Sequence, residues 1–153
     1  MLATEVASPR AGRLVGVALL SYPTPSSRAR DRALGLSGPR YGEKLRKRHG
    51  VKAIVVLLHE GGFQSPPGGI NDCNGISGPV VDIVGRTTQA VDLFVTGHTH
   101  TAYNCVLDGR PVTRASSFGR LLTDIDLTLD RKSKDVVQVA ANNEIVTQNV
   151  FKA

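Results

Sequence analysis

Val91-Asp92-Leu93-Phe94-Val95-Thr96-Gly97-His98-Thr99-His100 is the stretch on which the reading of this chain turns. Its apolar part has the length and composition of a buried strand, Gly97 interrupts it, and two imidazoles follow at once. A second apolar run, Ala53-Ile54-Val55-Val56-Leu57-Leu58, ends the same way in His59-Glu60-Gly61-Gly62. Three of the four histidines therefore fall just past the carboxyl ends of expected strands, the edge where open α/β sheets bind ligands. Imidazole is a neutral, borderline-soft donor, so His59, His98 and His100 are the candidate ligands of a divalent metal such as Zn or Mn. In extended backbone, His98 and His100 would point to one side of their strand.

Outward from these runs the pattern is that of an α/β domain. A strand is expected over 14–20. Residues 40–49 hold good helix formers and end at Gly50, with Lys47, Arg48 and His49 complementing the negative helix end, so His49 reads as a capping residue. Pro79 suits a first helical position, and Val80, Val81, Ile83 and Val84 supply an apolar side before the strand at 91–96. Beyond His100 the period changes to two. Residues 103–107 and 111–115 flank Asp108-Gly109 as a hairpin, and 121–129 and 136–140 read as further antiparallel strands. The domain spans 14–150, preceded by a frayed end at 1–13 and containing a mobile loop at 21–38, rich in Pro, Ser, Gly and Arg.

Length and composition fit one domain: 153 residues, 41% apolar, no Trp. A core of Val, Leu, Ile and Ala suits parallel strands covered on both faces. The net charge of +6 is uneven, since residues 1–52 carry eleven Lys/Arg against three Asp/Glu and the remainder eight against ten. Such a patch can attract polyanions, but it lacks interleaved aromatics, and nucleic-acid binding is not expected. No run approaches the ~20 apolar residues of a membrane span. Glu5 and the Ser21-Tyr22-Pro23-Thr24-Pro25 segment argue against a signal peptide. Cys73 and Cys105 are either free thiols or a disulfide closing a loop of about thirty residues, worth roughly 3–4 kcal/mol.

Val55-Val56-Leu57-Leu58-His59-Glu60-Gly61-Gly62 and Asp92 to Thr101 resemble the last two metal motifs of calcineurin-like metallophosphoesterases, nearest to the 5′-nucleotidase branch. Asp108-Gly109-Arg110-Pro111-Val112, Ala115 to Leu121 and Thr123 to Leu127 are similar to that family's closing strands. The resemblance runs from about Gly12 to Asn149, with 21–40 poorly matched. It implies a β-sandwich flanked by helices, two divalent ions between the sheets, and metal-assisted hydrolysis of phosphate monoesters in nucleotide catabolism. By resemblance, His59 and His98 would serve one ion and His100 the other.

The family's first three motifs, an Asp-x-His, a Gly-Asp and a Gly-Asn-His-Glu/Asp, precede the strand matching 14–20 and have no counterpart in this chain. The expectation is the C-terminal half of a phosphoesterase domain, weak or inactive alone, with catalytic residues beyond the ligands unassigned. It would hold at most one ion, because two dications without a bridging carboxylate repel each other. A half-sheet also leaves an edge strand open to association. Two rivals stand beside this reading: a non-catalytic module whose basic first third binds a polyanion beside a vestigial His cluster, and complementation by a second chain. Complete relatives of the family are often exported.

Other polar residues carry balanced readings. Glu60 is either a hydrogen-bond partner for an imidazole or a solvated loop residue. Asn71, Asp72 and Asn74 either line the site or form turns. Arg114 and Arg120 suit phosphate by chemistry but read as surface residues. Ser116 and Ser117 lack the setting of a nucleophile.

Overall fold

The computed structural model describes residues 3–6, 15–20 and 38–147, and side chains from residue 42 onward. Strands β1 (Ala3–Val6), β2 (Val15–Leu20), β3 (Ile54–Leu58), β4 (Leu93–Thr96), β5 (Ala102–Leu107) and β6 (Arg110–Ala115) form one six-stranded sheet in the order β1-β2-β3-β4-β6-β5. The inner strands β2, β3, β4 and β6 are parallel, while β1 and β5 close the two edges antiparallel. Strands β7 (Leu121–Leu129) and β8 (Val136–Ile145) make a separate two-stranded antiparallel sheet that packs on β5 and β6. This is the mixed α/β arrangement expected, with antiparallel strands at its C-terminal end.

Helix α1 (Gly38–His49) stops where Gly50 takes φ 65°, and the Val51 N–H then reaches back to the Leu45 carbonyl, 3.2 Å away. That is a glycine-terminated helix end, with Arg46, Lys47, Arg48 and His49 in its last turn. Arg46 leaves the helix to meet Asp135 at 3.1 Å and Asp92 at 3.6 Å, fastening α1 to the start of β4 and the β7–β8 turn. Burial pushes the Asp92 carboxyl up, against its bond from the Ile54 N–H and the pull of Arg46. Helix α2 (Pro79–Arg86) begins on Pro79 as expected and buries Val80, Ile83 and Val84. These meet Ile54, Val56, Leu58, Phe94 and Val112 in the core, each such side chain contributing roughly 1.5–3 kcal/mol.

Several sequence expectations are corrected. Within the span read as frayed, Ala3–Val6 pairs with β2, because a ladder left open on one side rewards even a short extended segment. The loop expected over 21–38 lies, except for Gly38, outside the described residues, as do the side chains of most of the basic first third. β3 alternates between buried and half-buried residues, so its continuous apolar run is not covered equally on both faces. β8 extends five residues past 140, through Asn142 and Asn143, since Asn143 finds buried partners that propensity does not register.

Cys73 and Cys105 are joined in a disulfide with a sequence separation of 32 residues, resolving the alternative left open by spacing. It pins the Gly-rich 59–78 segment to β5. Reduction, or Cys73→Ser with Cys105→Ser, is expected to lower unfolding stability by about 3 kcal/mol in the chain-entropy account. Urea melts with and without dithiothreitol measure this, and equal midpoints would show that the bridge adds nothing.

Candidate functional site

Parallel pairing of β3 with β4 aligns Leu58 with Thr96, so the residues following each strand emerge side by side at one sheet edge. His59 and His98 meet there, with ring centroids 5.3 Å apart and ring planes at 60°. His100 turns elsewhere: its ring stands edge-on to Phe118, centroids 5.5 Å apart. The extended His98-Thr99-His100 segment expected from sequence is replaced by left-handed backbone, with φ 72° at His98 and 55° at His100. Non-glycine residues rarely adopt that conformation, and the strain is maintained by the surrounding bonds. The Gly97 N–H donates to the Glu60 carbonyl at 3.1 Å, while the Thr99 and Thr101 hydroxyls donate to the Gly62 carbonyl at 3.1 and 2.8 Å.

The glycines of the 59–78 segment serve the protein's own packing. A Cβ on Gly61 would lie 2.5 Å from Thr99 Oγ1, and one on Gly62 2.5 Å from the Ser77 carbonyl. The segment is ordered by a bridge between Phe63 and Ser77, and by Gln64, whose amide donates to the Gly69 and Ala102 carbonyls. Asn71 bonds Asn104, Asn142 and Asn143, and Asp72 accepts from the Gly69 N–H, so both hold the loop and do not line the site. The Glu60 carboxylate accepts from the Gly61 N–H at 3.0 Å.

Beneath the imidazole pair, Tyr103 is fully buried, and its hydroxyl and that of Thr96 share a 2.6 Å hydrogen bond. Burial pushes the phenol up. Arg114, read from sequence as a surface residue, is only 3% exposed. Burial also pushes its guanidinium down, against attraction from Tyr103 and Glu60. Arg120 is exposed as expected, lying over the Phe118 ring. The signal for Arg114 was present: it shares the face of Val112 in a period-two strand, and buried Arg110 does too.

No family model matches the chain. Endonuclease YhcR from Bacillus subtilis (strain 168) is 30% identical over 107 residues, which is 70% of this chain and 8% of that protein. The crystal structure of the calcineurin-like phosphoesterase YfkN from Bacillus subtilis matches with a TM-score of 0.58 at 18% identity, over 94% of this chain and 50% of that one. The fold is that of a calcineurin-like phosphoesterase. The chain thus spans about half the length of its structural neighbour and a small fraction of its sequence relative.

By donor chemistry, two neighbouring imidazoles such as His59 and His98 suit a single divalent ion. Two imidazoles at 5.3 Å between centroids can share an ion. The described residues do not fit a dinuclear centre, since no group of three His, Cys, Asp or Glu there is placed to hold a metal. No helix among them is long and apolar enough to cross a membrane.

Proposed function

We propose that the chain carries part of the active site of a metal-dependent phosphoester hydrolase of the 5′-nucleotidase type. The observation that supports this most is the meeting of His59 and His98 at the carboxyl ends of adjacent parallel strands, on a phosphoesterase fold. Those two side chains are the proposed ligands of one divalent ion, Zn or Mn. His100, proposed for a second ion, would have to leave Phe118 to reach one. When bound, such an ion lowers the pKa of water and stabilises charge on phosphoryl oxygens. The chain's own part is to hold the imidazoles: Gly97 and Thr99 fix the His98 turn, and the Glu60 carbonyl braces it.

The substrate class proposed is a phosphate monoester of the nucleotide kind. The endonuclease name of the sequence relative sets a phosphodiester beside it as the rival substrate. The Cys73–Cys105 bridge suits an oxidising compartment, in keeping with an exported protein.

The test is a Zn²⁺ and Mn²⁺ titration by calorimetry, with hydrolysis of 5′-mononucleotides and of a DNA oligonucleotide assayed alongside. The chain alone is expected to bind about one ion and to turn over nucleotide far below the ordinary enzymatic range of about 1–10³ s⁻¹. Absence of binding by either metal removes the reading. Faster turnover of the oligonucleotide than of the mononucleotides replaces the monoester by the diester.

A further inference from the structure

Arg110 and Arg114 are the buried arginines among the described residues, each 3% exposed. Both terminal nitrogens of Arg110 are engaged, donating to the carbonyls of Val84, Thr87 and Thr88 and to the Asp108 carboxylate, although its Nε is buried without a partner. Arg114 lies on the same face of β6, directly toward the histidine rim. Its guanidinium enters none of the ion pairs among the described residues, and its Nε is buried with no hydrogen-bond partner. Its backbone belongs to the β5–β6 ladder, and its carbonyl accepts from the Asn143 amide. A buried cation without acceptors is costly, so an anion that reached this guanidinium would relieve that cost.

The guanidinium comes closest to the histidine rim beside Gly97. A Cβ there would lie 3.6 Å from Arg114 Nη1, 3.5 Å from His59 Nδ1 and 3.5 Å from the Leu58 carbonyl. The missing side chain leaves a space of about one methyl group, the size of a single oxygen atom, bordered by the guanidinium on one side and an imidazole on the other. Glycine is not required there by backbone geometry, since Gly97 is absent from the left-handed positions. An alanine methyl would fit at ordinary contact distance, and would fill the gap.

We propose that Arg114 is an anion-binding residue whose Nη1 binds one nonbridging oxygen of a phosphoester lying against His59, that oxygen entering the space beside Gly97 while the rest of the phosphate stays at the rim. The substrate class rests on the phosphoesterase reading above. The subsite itself rests on the unpaired guanidinium and the gap. Guanidinium suits the role because it stays charged in protein interiors and presents its donors in the fork that matches phosphate oxygens.

Thermal melts of the full chain with increasing inorganic phosphate, and a parallel Zn²⁺ titration, test this. Phosphate is expected to raise Tm of the unaltered chain in a saturable way. Arg114→Met is expected to melt at the same or a higher temperature without phosphate, because an apolar side chain of similar length replaces an unpaired buried charge. Its phosphate affinity should fall by about tenfold or more, the usual worth of a charge-assisted hydrogen bond. Gly97→Ala should show the same loss with the guanidinium still present. A lower Tm for Arg114→Met would make the residue structural and overturn the proposal. So would unchanged phosphate affinity in either variant, or no phosphate response in the unaltered chain. If Zn²⁺ fails to bind while Arg114-dependent phosphate binding persists, the metal reading falls and the anion subsite stands.

Discussion

His98→Gly is expected to weaken Zn²⁺ binding by at least about 100-fold while leaving the protein folded. Removal of a residue that only supports a ligand costs about 10–100-fold in metal affinity, and loss of one of two proposed ligands should exceed that. Glycine is the informative replacement because His98 sits at φ 72°. Relief of left-handed strain offsets the added freedom of the unfolded chain, so stability should stay within about 1 kcal/mol of the parent. Calorimetric metal titration and urea melts on one preparation separate the two effects. His100→Gly serves as the contrast: with its ring against exposed Phe118, its loss should change Zn²⁺ affinity by less than about tenfold. Equal losses for the two variants would mean that all three imidazoles share the ion.

Asn143→Leu is expected to cost about 3–5 kcal/mol of stability, read as a large fall in the urea midpoint. The side chain is 2% exposed and buried among carbonyls. Its amide donates to Ile70 at 2.7 Å, Arg114 at 2.9 Å and Tyr103 at 3.4 Å, and its oxygen accepts from the Thr123 hydroxyl at 2.6 Å. One residue of β8 thereby joins the 59–78 loop, both strands of the β5–β6 hairpin and β7. Leucine has a similar shape and gives none of these bonds, leaving several buried polar groups without partners. Asn74→Ala, at an exposed loop position, should change stability by less than about 0.5 kcal/mol. A small effect of Asn143→Leu would show that water replaces the amide and that the two sheets are held chiefly by apolar contact.

Much of the scaffold was legible. Apolar runs ended by glycine placed β3 and β4, Pro79 started α2 as read, and Asp108-Gly109 made the β5–β6 turn with φ 49° and 73°. These signals are local, each carried by a few adjacent residues whose backbone preferences do not depend on distant contacts. The fate of the polar residues was less legible. Arg114 and Asn143 carry side chains that normally stay in water, and no neighbouring letter records that burial awaits the one and distant carbonyls the other. The backbone turn at His98 and His100 was hidden for a similar reason, because their left-handed φ depends on the grip of Thr99 and Thr101 on Gly62, across some forty residues of chain.

Sequence by itself determined that parallel strands end in imidazoles at a common edge, since hydrophobic period and chain breaks are written locally. Tertiary structure decided which imidazoles meet, that Cys73 bonds Cys105, and that a lone guanidinium lies under the rim. Those outcomes depend on how the 59–78 loop and the β7–β8 sheet close over the main sheet. That closure is set by long-range contacts, in which each group's partner is fixed by three-dimensional packing and not by spacing along the chain.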